Sequence, residues 1–337
     1  MKVGIVNITG YIGMEVGRLL LSHPEVEVSV VTGRSAAGKE LPSHLPHLWR
    51  LPLKIEEGLR GDVDVIFSAL PHGAGFSDIK RALDMGIKVI DLSADFRLRD
   101  PRLYEEWYDV SHPFPELLGE AVYGLSELRR DEIRGARLVA NPGCYPTGII
   151  LSLAPAIKEG IITGDIVVDS KSGVSGAGRT LSLRTHFSEV NENITAYSLE
   201  GHRHMPEMVQ EMKALGLENI RLTFIPHLVP ITRGIFSICY AELKKDIRGE
   251  EIFELYTEFY KGEKFVRVRR DAPSLKETLG TNLCLIHPRK DERGGRLVVI
   301  SVIDNLIKGG AGQAVQNMNI MMGFPEDMGL PLDALYP

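Results

Sequence analysis

Lys2-Val3-Gly4-Ile5-Val6-Asn7-Ile8-Thr9-Gly10-Tyr11-Ile12-Gly13 opens the chain with a short apolar strand and a glycine-bearing turn that runs into a helix. Ile12, Val16, Leu19 and Leu20 share one helical face, and His23-Pro24 stops the run. Glycines three apart between a strand and a helix let the backbone approach a pyrophosphate, whose charge then sits at the helix N-terminus. Asn7 stands where the tight turn usually has glycine, and asparagine tolerates positive φ better than most residues. Working outward, residues 26–31, 62–70, 87–92 and 137–140 read as further apolar strands, with a helix over residues 75–85 ended by Gly86. Apolar strands alternating with helices predict a parallel sheet covered on both faces, a doubly wound α/β domain of the Rossmann type.

After Cys144 the texture changes. Strand candidates over residues 165–170, 220–225, 234–243, 265–269 and 296–303 follow one another without regular crossover helices. Amphipathic helices over residues 206–215 and 250–260 lie between them. That order predicts an α+β domain with a mixed sheet. The expected division is a nucleotide-binding domain over residues 1–143 and a catalytic and oligomerisation domain over residues 144–304. A C-terminal stretch of about 305–337, with a helix over residues 312–322, is expected to return to the first domain.

Composition narrows the function classes. A chain of 337 residues exceeds the ~100–150 of one ordinary domain. Lys and Arg number 39 against 45 Asp and Glu, a net charge of −6 that argues against nucleic acid as a partner. No apolar run approaches the ~18 residues that cross a bilayer. The opening segment lacks the apolar core and cleavage site of a secretion signal, so a cytoplasmic protein is expected. Three cysteines form no disulfide framework and suit a reducing compartment. Glycine, at 34 residues, exceeds its usual ~7% share.

Four clusters carry the chemistry. Thr32-Gly33-Arg34-Ser35 ends the second strand without the acidic residue that would bind the ribose 2′-hydroxyl of NAD; a cation and hydroxyls suit the 2′-phosphate of NADP. Asn141-Pro142-Gly143-Cys144-Tyr145-Pro146-Thr147-Gly148 places Cys144 just before a helix whose first turn holds Pro146, where free N–H groups and the dipole favour a thiolate. Pro155 is expected to kink or shorten that helix. Cys239 and Cys284 lie in apolar strands and read as core residues. His202 and His204, in Gly201-His202-Arg203-His204-Met205-Pro206-Glu207, stand at a helix entry where an acid/base partner for a thiolate is wanted. A metal is not expected, since neither this pair nor His44 and His47 has a Cys or carboxylate at zinc spacing.

Ser172-Gly173-Val174-Ser175-Gly176-Ala177-Gly178-Arg179 offers small residues whose backbone N–H groups could form an anion nest. Arg97 follows the fourth parallel strand, at the strand end where open α/β sheets bind ligands. Asp304-Asn305-Leu306-Ile307-Lys308-Gly309-Gly310 opens the last helix, either approaching a cofactor or capping that helix.

Together these motifs resemble the N-acetyl-γ-glutamyl-phosphate reductases, NADP-dependent enzymes of arginine biosynthesis, essentially end to end. The resemblance implies Cys144 as nucleophile and His202 as the acid/base group, with a pKa near the working pH and His204 as second choice. It implies NADP contacts from Thr9, Gly10, Tyr11, Ile12 and Gly13, from Arg34 and Ser35, and from Ser68, Leu70 and Pro71 on the nicotinamide side. Gly176, Asn305 and Lys308 complete that set. An acyl-phosphate substrate would meet Arg97, Asn141, Ser172, Gly173, Ser175, His204 and Arg233. A homodimer or homotetramer is implied, built through the second domain's sheet.

Three alternatives stay open. Aspartate-semialdehyde dehydrogenases do the same chemistry on a shorter substrate. A lysine-pathway reductase acts on an aminoadipyl phosphate held on a carrier protein, and one methylene is worth only ~1–3 kcal/mol of discrimination. A non-catalytic NADP-binding sensor would need no nucleophile, yet Cys144 and His202 are present.

Overall fold

The computed structural model describes every residue except Gly61 and Pro337, the latter at the end of the expected returning stretch. Two compact units result, Met1–Gly143 with Gly310–Pro331, and Cys144–Gly309 with Leu332–Pro337. In chain order the first part runs β1 (Lys2–Val6), α1 (Tyr11–Leu20), β2 (Glu27–Thr32), α2 (Leu41–His44), β3 (Ile55–Glu56), β4 (Val65–Ser68), α3 (Phe76–Asp84) and β5 (Lys88–Asp91). It continues through α4 (Pro101–Tyr108), β6 (Val122–Tyr123), α5 (Ser126–Gly135) and β7 (Leu138–Ala140). Then come α6 (Cys144–Lys158), β8 (Ile162–Gly173), α7 (Phe187–Val190), β9 (Thr195–Ala196), α8 (Met205–Ala214), β10 (Arg221–Val229) and β11 (Ile235–Leu243). The chain closes with α9 (Gly249–Phe259), β12 (Val266–Val268), β13 (Cys284–Asp291), β14 (Arg296–Ile303) and α10 (Gly312–Met322).

Unit 1 holds a seven-stranded sheet in the order β3-β2-β1-β4-β5-β7-β6. Every pairing in it is parallel. All of β4 and β7 is buried, which is why those strands read as continuous apolar runs. On α3, Phe76, Ile79, Ala82 and Leu83 pack with Ile66, Val89, Tyr104 and Leu138 in one cluster, and Gly86 at φ 77° ends the run. α10 is unusual in being buried and amide-rich. Gln313 Nε2 and Asn317 Nδ2 both donate to Gly124 O, at 3.0 and 2.8 Å, so these amide nitrogens close bonds rather than face water.

Unit 2 holds a mixed seven-stranded sheet, β12-β13-β14-β11-β8-β10-β9. The pairs β8–β10 and β12–β13 run parallel and the others antiparallel. Helix α6 lies on the sheet's buried face against β11 and β14, and every residue of it from Tyr145 to Ile157 is buried.

The expected shortening at Pro155 is corrected here, because α6 continues through that residue to Lys158. Proline has no N–H for the carbonyl four residues back, which is Leu151. The Tyr260 hydroxyl donates to Leu151 O instead, and the Tyr256 hydroxyl donates to Ser152 O at 2.7 Å. A buried carbonyl that would be orphaned is thereby satisfied from the end of α9.

Candidate active site

The nucleotide turn of unit 1 shows why Asn7 is tolerated. Asn7 sits at φ 66°, the left-handed conformation a glycine would supply. Its Nδ2 donates to Ala69 O at 2.8 Å and its Oδ1 accepts from Thr9 Oγ1 at 3.1 Å, so the side chain locks the turn. At Gly13 a Cβ would lie 2.3 Å from Asn7 O, so only glycine lets α1 start this close to the turn. Tyr11 and Ile12 form the first turn of α1.

Beside that turn, Asn7, Thr32, Gly33, Arg34, Ser35, Leu70 and Pro71 line one cavity of about 260 Å³. Arg34 reaches across it to Ala74 O at 3.3 Å and Asp78 at 3.8 Å and is otherwise exposed. Ser68 ends β4 with its Oγ buried and without a hydrogen-bond partner. The loop beyond it is tied down where Gly73 N donates to Asp95 Oδ1 at 2.8 Å. A glycine cradle, an exposed cation and an unused buried hydroxyl fit a phosphorylated dinucleotide.

Arg97 is not open to solvent as a free anion grip. It is buried, its Nε donating to Asn141 O at 2.8 Å and an Nη to Leu92 O at 3.0 Å. Asn141 is equally occupied, giving Nδ2 to Gly310 O at 3.1 Å and taking Asn317 Nδ2 on Oδ1 at 3.0 Å. Both residues fix the backbone that leads into Cys144. Asp91, wholly buried nearby, is raised above the usual carboxylate range by burial and then by the charge of Asp95.

In unit 2, Cys144 is the first residue of α6 and is partly exposed, whereas Cys239 and Cys284 are buried. Burial pushes the Cys239 thiol far up, which makes it inert. Gly309 backs Cys144 so closely that a Cβ there would lie 2.9 Å from Cys144 Cβ. Tyr145 follows the cysteine. Its hydroxyl lies 3.0 Å from that of Tyr197, and its ring lies edge-on to His202 at 5.5 Å and His204 at 6.0 Å. Burial raises both tyrosines, Tyr197 to about 12, and a Cys144 charge adds to the effect on each.

His202 departs from expectation. Burial, and then the charge of Arg203, lower its pKa to about 4 instead of leaving it near neutrality. Its Nδ1 accepts the backbone N–H of His204 at 3.1 Å, so the single proton of the neutral ring belongs on Nε2. The ring is therefore an uncharged hydrogen-bond donor.

The expected anion nest is largely filled by protein. The amides of Gly173, Val174 and Ser175 donate to the carbonyls of Gly234, Ile231 and Thr232 at 2.9, 2.9 and 3.1 Å. Ser172 Oγ donates to Gly173 O at 3.0 Å, and Gly176 leaves room beside that hydroxyl, where a Cβ would approach to 3.0 Å. Asn305 is a brace rather than an open cofactor contact: its Oδ1 accepts from Gly234 N at 2.7 Å and its Nδ2 donates to Ser175 Oγ at 3.0 Å. Asp304 caps the turn that follows, accepting from Leu306 and Ile307 N, and lies 3.7 Å from Arg233. Lys308 is wholly buried with its ammonium 5.5 Å from the Phe265 ring. Among the described residues no group of three or more His, Cys, Asp or Glu could hold a metal, and no helix is long and apolar enough to cross a membrane.

Tyr197 had no local signal in the sequence, because its partner lies far away in the chain. Gly309 and Asp304 were visible only as a glycine pair and a capping aspartate.

A dinucleotide domain joined to a unit bearing one accessible cysteine, with two histidines against the ring of its neighbour Tyr145, defines a class. Residues 2–136 match the semialdehyde dehydrogenase NAD binding domain and residues 144–305 the semialdehyde dehydrogenase dimerisation domain. Solved structures share the fold. An aspartate semialdehyde dehydrogenase II from Vibrio cholerae has a TM-score of 0.72 at 18% identity, covering 96% of this chain and 98% of its own. One from Candida albicans, solved with NADP, has a TM-score of 0.68 at 16% identity, covering 95% and 98%. Sequence relatives are nearer. The N-acetyl-γ-glutamyl-phosphate reductase of Dehalococcoides mccartyi is 55% identical over 100% of this chain and 99% of its own length. That of Pelotomaculum thermopropionicum is 52% identical over the same shares. The chain belongs to the semialdehyde dehydrogenase family and, within it, to the N-acetyl-γ-glutamyl-phosphate reductases.

Proposed function

We propose that this protein reduces N-acetyl-γ-glutamyl phosphate to the corresponding semialdehyde and phosphate, using NADPH and a thioester on Cys144. The observation that carries this is one partly exposed thiol at a buried helix's N-terminus, backed by Gly309, whose chain neighbour Tyr145 packs against His202 and meets Tyr197. The Cys144 thiolate attacks the acyl carbon; the C–O bond to phosphate breaks and phosphate leaves with the electron pair. His202, neutral with its proton on Nε2, donates a hydrogen bond to the oxygen that becomes an oxyanion, without competing as a cation for the thiolate. NADPH, when bound, supplies the hydride. The hemithioacetal on Cys144 then collapses, its C–S bond breaking to release the aldehyde and restore the thiolate. Arg34 and Ser35 suit the 2′-phosphate, and Leu70 and Pro71 line the same cavity beside them.

A homodimer or homotetramer in the cytoplasm completes the proposal. Half-buried Val167, Tyr240 and Val298 lie in register across β8, β11 and β14 on the face opposite α6, with Ile238 beside Ile300, an apolar strip suited to a second copy. Free cysteines suit a reducing compartment. The test compares kcat/KM for phosphate-dependent oxidation of N-acetylglutamate semialdehyde, aspartate semialdehyde and a carrier-linked aminoadipate semialdehyde. The first should lead by ~10-fold or more; either other substrate leading would overturn the assignment.

A further inference from the structure

Five large apolar side chains stand in solvent along one stretch of unit 2. Leu181, Leu183, Phe187, Ile194 and Leu199 are 64–98% exposed. No residue from 176 to 200 is buried. From residue 178 on, the stretch has only a three-residue 3-10 turn, the four-residue α7 and the two-residue β9 as regular structure. Its internal bonds are local, such as Thr185 N to Ser182 O and Val190 N to His186 O, both at 3.1 Å. Large apolar side chains exposed this densely along one stretch mark an interaction site.

Both ends of the stretch are tied to the catalytic region. Before it, Ser175 accepts from Asn305. After it, β9 pairs with β10, Tyr197 N donates to Pro226 O at 3.1 Å, and the Tyr197 hydroxyl meets that of Tyr145, the neighbour of Cys144. Arg184 stacks over the Tyr197 ring at 5.4 Å, so the stretch also touches the tyrosine that it delivers.

We propose that residues 181–199 form an arm that docks on a second copy of this chain, and that docking holds Tyr197 on Tyr145 beside the Cys144 thiol. A second copy is the occupant because the arm lies inside residues 144–305, the part that matches a dimerisation domain. Its charges also nearly cancel, Arg184 standing against Glu189 and Glu192, so copies of it do not strongly repel. A symmetric contact buries such a patch twice. Only the activity readout rests on the function proposed above.

The test is a combined Leu181→Ser, Leu183→Ser, Phe187→Ser variant, all at positions exposed in the single chain, so each chain should keep its fold by circular dichroism. Sedimentation across a concentration series should show self-association weakened by about 100-fold. Turnover should fall about 10-fold at nanomolar protein and recover where the variant reassociates. Unchanged association overturns the proposal, and if turnover is lost nonetheless the arm is a lid on its own site. Weakened association with full turnover of separated chains overturns the link to Cys144. Tyr197→Phe keeps the apolar arm and should lower kcat with association unchanged; an unchanged kcat overturns the same link. Sedimentation needs no substrate, so a wild type inactive on N-acetylglutamate semialdehyde would sink the proposed function and leave the arm open to its own test.

Discussion

Gly309→Ala isolates the seating of the nucleophile. The added Cβ would lie 2.9 Å from Cys144 Cβ, 3.2 Å from its Cα and 3.3 Å from Ile303 Cδ1. Carbon atoms rest at ~3.5–4.0 Å, so Cys144 and the turn carrying Gly309 must separate by ~0.6–1 Å. α6 cannot yield easily, since Tyr145 to Ile157 are all buried behind Cys144. Overpacking of this kind costs ~1–3 kcal/mol of stability. A displacement near 1 Å at the reacting group costs ~10²-fold in turnover. Three readings check it together: kcat for phosphate-dependent semialdehyde oxidation, the rate of Cys144 alkylation by iodoacetamide, and thermal unfolding. Gly135→Ala is the control, because nothing lies within 4 Å of its Cβ. A Gly309→Ala enzyme that keeps kcat within about twofold, with unchanged melting, would refute the claim that Gly309 seats Cys144.

Tyr260→Phe strips Leu151 O of its donor and should lower stability by ~1–3 kcal/mol in denaturant melts. Pro155→Ala restores the helix N–H, so in that background the same change should cost about 1 kcal/mol less; strictly additive costs would contradict the rescue. The His202 imidazole should titrate near pH 4 by NMR, and a midpoint at 6 or above would be incompatible with its burial. Since its folded pKa lies below the unfolded ~6.5, the unfolded chain binds the extra proton between those values, and stability is lost as pH falls through that window, by up to about 3 kcal/mol. His202→Asn should flatten that slope. Arg34→Ala should raise KM for NADPH about 10-fold and leave KM for NADH unchanged; equal effects on both would remove Arg34 from the 2′-phosphate site.

The parallel sheet was legible because both faces of β4 and β7 are covered, which writes itself into the sequence as unbroken apolar runs. Asn7 was legible as an irregularity, but not how Ala69 and Thr9 hold its side chain in the left-handed turn. The helix α6 could be read from Pro146, though it begins two residues earlier, at Cys144; its survival past Pro155 could not be read, because the compensating hydroxyl comes from Tyr260, distant in sequence. The same limit explains Arg97, Asn141 and the stretch after Ser172. Residue type announces capacity for anion binding, while long-range pairing decides whether carbonyls of the same protein have already taken it. His202 shows a further limit, since burial sets its pKa and burial is a property of the fold.

Mixing the protein with N-acetyl-γ-glutamyl phosphate in the absence of NADPH, and mapping the quenched protein by peptide mass spectrometry, tests covalent catalysis at its source. A burst of phosphate equal to the active subunits, with the N-acetylglutamyl group on the peptide containing Cys144, is the expected result. A phosphate burst with no adduct at Cys144, or turnover retained by Cys144→Ser, would contradict it.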